Sequence, residues 1–283
     1  MRVGWLIEYG DGRSFELEFN RDKHTYMVDG NKIPSVTRVI DSCFPKYLTD
    51  WAVQEAADYF LSSVEQYKLS PGSVGVYQIP NSIIDHIYKG MPSAHKAISE
   101  KAADVGSTVH DWISAGILCK LGKGGMPDMP EDEEAIRCIE AFKSWARDVK
   151  PEWLLTEERV YYHDDESDSN IHSFAGTVDA VARIDGQVCV IDFKTSKKIY
   201  KPYYLQVVAY QHALKSMKKF YGQQIEGIIL RLDKEKGVYQ ENRFYTANHI
   251  DTFFECLNLK RWASKRIPPA KWKFSEELRG PDT

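Results

Sequence analysis

The sequence predicts an α/β fold: a mixed central sheet flanked by helices, with a helical and β-structured N-terminal extension. Three observations predict it. Helices come first, then three strands, a helix and two more strands, an order that fits a helix-flanked sheet rather than a regular βαβ repeat. The hairpin Gly176 to Lys194, "GTVDAVARIDGQVCVIDFK", is apolar on both faces, as interior strands are. A content of 43% hydrophobic and 28% charged residues over 283 positions is ordinary for a globular protein with a sizeable core.

Each element has a local reason. "SFELEFN" and "HTYMV", followed by an Asp29-Gly30 turn, read as a small β-region over residues 14–33. "PSVTRVIDSCF" (34–44) reads as the start of a helix with Ser35 as N-cap, and Trp51 to Tyr67 as a second helix. "KLSPGSVGVYQIPNS" (68–82) is punctuated like a loop. A long helix is expected from Ser93 to about Leu118, with Ile98, Ala102, Val105, Val109 and Trp112 as its apolar stripe. On a neighbouring face lie Ala103, Gly106 and His110. "KLGKGGMPDMP" is a loop. Glu131 to Val149 forms a helix with an acidic first turn and Ile136, Ile139, Phe142 and Trp145 inward. Strands follow at 153–163, in both arms of the hairpin, at "IEGIILRL" and at "GVYQENRF". Pro202 to Lys219 is a helix stopped by Gly222, and the tail is helical from Asp251 to about Lys265. The reading divides the chain into an extension over 1–92, a β-hairpin with helices packed on the core, and a core over 93–283 with its C-terminal helix and tail.

Bulk charge excludes little and locates less. A net charge of −4 gives no global nucleic-acid signature, so any basic surface must be local. Between Gln187 and Gly222 there are seven lysines and one acid, Asp192; between Asn258 and Lys273 there are six basic residues and no acid. Such runs are often only solvated faces. However, "KTSKKIYKPYY" interleaves tyrosines with Lys197, Lys198 and Lys201, as a groove along a phosphate backbone would. Five scattered cysteines without a C-x-x-C pair indicate reduced thiols. No apolar run reaches the ~20 residues of a membrane span, and the N-terminal residues lack a signal-peptide layout. A cytoplasmic protein is expected.

The hairpin carries the chemistry. Asp185-Gly186 favours a two-residue type I′ turn. If Ile184 and Gln187 close it, Asp179 lies directly opposite Asp192. One face then carries Val178, Ala180 and Ala182 against Phe193, Ile191 and Cys189, and the other carries Val181 against Val190 beside the aspartates. Opposed carboxylates ~5 Å apart repel by roughly 1 kcal/mol in water and roughly 3 at an effective dielectric of about 20. Exposure, a shared proton or an intervening cation would relieve that; apolar surroundings argue against exposure. Lys194, two residues beyond Asp192, leaves the same face of its strand, and Glu157 on the preceding strand could add a third carboxylate. Hard oxygen ligands converging in this way suit Mg²⁺ or Mn²⁺ rather than zinc. Gln206 and Tyr210, spaced i, i+4, share one face of the next helix and can both hydrogen-bond a phosphate.

At these residues the sequence resembles the PD-(D/E)XK nuclease superfamily, in its RecB-type exonuclease clade. Asp179, "Asp192-Phe-Lys194" and "Gln206-x-x-x-Tyr210" resemble its active-site motifs. "Gly106-Ser-Thr-Val-His110" resembles the clade's upstream helix motif, whose histidine joins the metal site, and "Glu157-Glu-Arg-Val160" its acidic strand. "YMVDGNKIPSVTRVI" resembles the opening of phage-encoded members. The likeness covers roughly residues 25 to 215. It departs at Val178, where the superfamily nominally has Pro, and only Cys256 lies near the C-terminus, so no iron–sulfur cluster is expected.

The resemblance implies a restriction-endonuclease-like core and a metal-dependent exonuclease in phage recombination, repair or replication, in the host cytoplasm. It implies Asp179, Asp192, Lys194 and Glu157 as catalytic residues, and His110, Glu157, Asp179 and Asp192 as holders of one or two Mg²⁺ or Mn²⁺ ions. Gln206, Tyr210, Lys197, Lys198, Lys201 and Tyr203 would contact DNA. A single-strand annealing or single-strand-binding protein would be a fitting partner. Two alternatives stand beside it: an endonuclease, and a catalytically silent DNA-binding protein. Plainer readings also exist, with His110 as a packed histidine, Glu157 or Glu158 as strand decoration, and Tyr210 as a core residue. "DDESDSN" lacks the glycine and distal glutamate of an EF-hand loop and reads as a solvated loop.

Overall fold

A computed structural model describes residues 2–20, 25–44, 49–65, 79–165, 172–245 and 249–265. The loop expected at 68–82, most of "DDESDSN" and the last three positions of the C-terminal basic cluster, Arg266, Lys271 and Lys273, fall wholly or largely outside these residues. Asp-Gly turns organise both sheets. At the first, Asp29 and Gly30 take φ of 49° and 76°, the left-handed pair of a type I′ turn, and join β3 (Thr25–Val28) to β4 (Asn31–Ile33). With β1 (Arg2–Glu8) and β2 (Ser14–Asn20) these strands form an antiparallel meander in the order β1-β2-β3-β4. Strand β1 was not foreseen: "RVGWLIE" has only a weak alternation, with a single buried residue, Ile7.

The second Asp-Gly turn, Asp185 and Gly186 at φ 52° and 83°, joins β6 (Phe174–Ile184) to β7 (Gln187–Lys194). These are the second and third strands of a five-stranded mixed sheet, β5-β6-β7-β8-β9, with β5 at Glu152–Tyr162, β8 at Ile225–Leu232 and β9 at Tyr239–Phe244. Only β7 and β8 run parallel, and helix α5 (Lys201–Ser216) makes the crossover they require.

Helices cover both faces. On one, α3 (Asn81–Lys120) and α4 (Glu133–Val149) bring Val109, Ile113, Phe142 and Trp145 onto Ala180, Ile191, Phe193 and Leu230. On the other, α1 (Val36–Cys43), α5 and α6 (Ile250–Ser264) bury Val36, Leu214 and Phe253 against Val181, Val190 and Ile229. The meander joins this second cluster through Ile7, Leu17 and Tyr26. Each such side chain, fully buried, stabilises by about 1.5–3 kcal/mol. Ser35 caps α1 by accepting from the Arg38 amide at 3.3 Å, as its position before an apolar run suggested.

The structure corrects the reading in four places. Helix α3 begins at Asn81, not Ser93; Pro92 looks like a boundary, yet the helix runs through it, with Tyr59 of α2 (Thr49–Glu65) lying against Gly90. The division at 92–93 therefore falls within one helix. Ile98 is exposed rather than part of the inward stripe, and Ile136 is only half-buried. Val178 packs with the α5-side cluster, not with Ala180 and Ala182, so alternation breaks at Asp179. Finally, the β6–β7 pairing runs in the anticipated register from Ile184↔Gln187 to Ala180↔Ile191 and stops one step before the aspartates.

The second face also buries a histidine. His212 packs against Tyr162 and Phe254, with ring centroids 4.6 and 5.5 Å away, and its Nε2 is buried without a hydrogen bond. Burial, aided by Lys215 and opposed by Asp251, pushes its pKa from 6.5 down to about 4. The unfolded chain therefore binds this proton at a higher pH than the folded one. Stability from this site is complete above pH 6.5 and falls as the pH drops toward 4, by up to about 3 kcal/mol. His212→Phe is expected to flatten the loss of stability between pH 7 and pH 5 in urea unfolding. Parallel pH slopes in variant and parent would refute the assignment.

Candidate active site

The site forms where the β6–β7 ladder ends. Beyond Ala180↔Ile191 the Asp179 side chain takes over: its Oδ2 accepts from the Phe193 amide at 2.9 Å. The Asp179 carbonyl accepts from Thr156 Oγ1 at 2.9 Å. Across the sheet, the pairs Thr156↔Ala180 and Glu158↔Val178 put Glu157 opposite Asp179. Glu157 has φ 50°, a left-handed backbone that is uncommon for a residue other than Gly, Asn or Asp and in mid-strand marks local strain. Its side chain is 41% exposed and lies 3.4 Å from Arg159, while Glu158 pairs with Lys219. Of the two glutamates, only Glu157 borders the site.

Asp192 is buried to 1%, and Lys194 Nζ sits 2.8 and 2.7 Å from its two oxygens. Lys194 also donates to Gln206 Oε1 at 3.2 Å and lies 4.9 Å from the centre of the Tyr203 ring. Gln206 Nε2 in turn donates to the Tyr210 hydroxyl at 3.3 Å. The i, i+4 pair on α5 thus faces the lysine. Tyr210 is buried, with its ring over Gly176; the plainer reading of a packed tyrosine holds for its ring, and its hydroxyl belongs to the polar chain.

From the opposite side, α3 delivers His110. Gly106, one turn earlier, permits the approach: a Cβ there would lie 3.3 Å from Thr195 Oγ1. His110 Nδ1 is 3.5 Å from Asp179 Oδ2. Burial, then the charge of Lys194, lowers its pKa, so the imidazole is neutral and offers a lone pair. Burial raises the pKa of both aspartates, with the neighbouring Asp179 carboxylate adding to the effect at Asp192. For Lys194, burial works to lower the pKa, but Asp192 and Asp179 outweigh it and hold the ammonium charged.

Among the described residues no three His, Cys, Asp or Glu side chains form a ready-made ligand cluster: Asp192 is turned to Lys194 and Asp179 to a backbone amide. The donor chemistry nonetheless fits a hard divalent ion. It offers carboxylate oxygens and one neutral imidazole, and the buried Asp192 carboxylate already holds a cation, the Lys194 ammonium, 2.7 Å from Oδ2.

A pocket of about 270 Å³ opens over these groups, with Glu157, Asp179, Gln206 and Tyr210 in its wall. Sequence reasoning missed that the N-terminal extension supplies a further part of that wall, with Phe19, Tyr26, Thr37 and Arg38 among its residues. Two ties hold it in place. The Ala175 amide donates to Pro34 O at 3.0 Å, and the Tyr26 hydroxyl meets Thr177 Oγ1 at 2.8 Å. The one available signal was the extension's likeness to phage proteins. Lys197, Lys198 and Lys201 are exposed on the segment leading from β7 into α5, and Lys198 lies over the Tyr200 ring.

A family model described as the PD-(D/E)XK nuclease superfamily matches residues 87–273. A comparison with curated proteins gives no match. Among solved structures, one described as the crystal structure of SSO0001 is similar at 14% identity and a TM-score of 0.32, over 46% of this chain and 58% of that one. The chain thus spans little more than half the length of that structure. Nucleases of the superfamily usually use divalent metal ions such as Mg²⁺. Among the described residues no helix is long and apolar enough to cross a membrane.

Proposed function

Because the chain belongs to the PD-(D/E)XK nuclease superfamily, we propose that it is a Mg²⁺- or Mn²⁺-dependent deoxyribonuclease working as a RecB-type exonuclease. The supporting observation is the gathering of Asp179, Asp192, Lys194 and His110 at the open end of one hairpin, beneath a pocket that also holds Glu157. Asp179, Asp192, Glu157 and His110 are the residues that would hold the metal. When bound, it supplies an activated water and neutralises charge on the phosphate.

The chain's own residues do the rest. Lys194, a cation held by Asp192 and Gln206, stabilises the negative charge that grows on the attacked phosphate. Gln206 and Tyr210 act as positioning residues for Lys194, and Gln206 also faces the strand being cut. Lys197, Lys198, Lys201 and Tyr203 follow the DNA backbone outward from the site. Exonuclease rather than endonuclease action rests on the His110 helix motif, and a role in phage recombination, repair or replication in the cytoplasm, beside an annealing or single-strand-binding protein, rests on the N-terminal likeness.

The test is digestion of end-labelled linear DNA and of covalently closed circles. With Mg²⁺ or Mn²⁺ the linear DNA is degraded from its ends, chelator stops the reaction, and circles survive. Cutting of circles would turn the reading to an endonuclease. Binding without any metal-dependent turnover would turn it to a silent DNA-binding protein.

A further inference from the structure

A second, larger cleft adjoins the catalytic pocket. It measures about 980 Å³ and lies between β3–β4, α1 and α6. Five cations line it, Lys32, Arg38, Lys260, Arg261 and Lys265, against one acid, Asp29. Three come from the C-terminal basic cluster that the catalytic reading leaves without a task. The two cavities share Ser35 and Arg38, so the cleft borders the catalytic pocket at the first turn of α1.

The cations are held together at a cost. Lys260 Nζ donates to the Arg38 carbonyl at 2.9 Å, which fixes α6 against α1 with the lysine facing the arginine's own helix. Burial first, then the charges of Arg38 and Lys32, lowers the Lys260 pKa, and burial lowers that of Arg261. Like charges gathered around a concavity favour an anion with several charges. Aromatic rings also line it: Phe15 packs on Tyr161 and His163, with centroids 5.2 and 4.7 Å apart. Cations and aromatic rings lining one cleft suit a single strand, whose phosphates and bases need different partners.

We propose that this cleft binds single-stranded nucleic acid and leads it past Arg38 into the catalytic pocket. The identity of the ligand rests on the nuclease reading; the existence of the site rests on the cleft itself. The experiment is fluorescence anisotropy of labelled oligothymidylate on the full chain in chelator, across about 50–200 mM salt. Lys32→Ala/Lys260→Ala is expected to weaken binding about tenfold or more and to flatten the slope of log affinity against log salt by about 1.4, two phosphate contacts on a single strand. Lys32→Ala alone, at an exposed position, should give about half that slope change and keeps the test decisive if the double variant folds poorly.

Unchanged affinity and salt slope in these variants would overturn the proposal, as would a loss seen with duplex and not with the single strand. Wild-type single-strand affinity in a double variant that still digests DNA sinks the cleft alone. Weakened binding in the variant of a protein that never digests DNA sinks the nuclease reading alone.

Discussion

Lys194→Met ends metal-dependent digestion of linear DNA, lowering the rate by at least about 10²–10³-fold, and destabilises the fold by about 3–5 kcal/mol. The first effect follows from the proposed role of Lys194 as the cation that meets the phosphate. The second follows from Asp192, 1% exposed, losing the ammonium 2.7 Å away and standing as a buried unpaired charge. Protonation of Asp192 limits that cost, because burial already raises its pKa, so the loss is largest in alkaline solution. Asp192→Asn/Lys194→Met, with both charges gone, should recover most of the stability and none of the turnover. Urea unfolding and end-labelled digestion of the two variants check this. Turnover near that of the parent in Lys194→Met would make the lysine structural only, and a double variant as unstable as the single would exclude charge burial as the cause.

Gly176→Ala is expected to disturb the site without touching a charged group. Its new Cβ would lie 2.6 Å from Tyr210 Cε1 and 3.3 Å from Val36 Cγ2. Tyr210 is 3% exposed and cannot swing aside, so α5 must move or the ring must leave its place. Overpacking of this kind costs about 1–3 kcal/mol. Displacing Tyr210 also shifts Gln206, and through it Lys194, so turnover should fall together with stability. Tyr210→Leu in the same chain makes room for the methyl group. The double variant should then be less destabilised than the two single costs combined, which a double-mutant cycle measures. Additive losses would mean that the glycine serves something other than this contact.

What the sequence disclosed depended on how local the determinant is. The register of β6 and β7 was legible because Asp185-Gly186 permits one tight turn and the pairing follows from it. The convergence of Asp192 with Lys194 was legible because residues two apart in a strand share a face. The point where the ladder stops was not, since it depends on the Asp179 side chain capturing a backbone amide and on Glu157 adopting a left-handed conformation opposite. The start of α3 was hidden by Pro92, which locally reads as a boundary although packing carries the helix through it. The i, i+4 spacing of Gln206 and Tyr210 gave their common face but not their depth, which Gly176 sets from across the sheet. Phe19, Tyr26 and Arg38 reach the pocket from about 140 residues away in sequence, and no short motif announces such contacts.

The ties from Pro34 to Ala175 and from Tyr26 to Thr177 have a further consequence. The acidic and basic groups that would break a bond all lie inside the stretch 87–273, whereas part of the rim through which a strand must enter lies outside it. Two separate pieces of chain therefore build the floor and the rim of one pocket. Under the proposed reading, an alteration of the first forty residues changes what enters the pocket while leaving the acidic and basic groups beneath it intact.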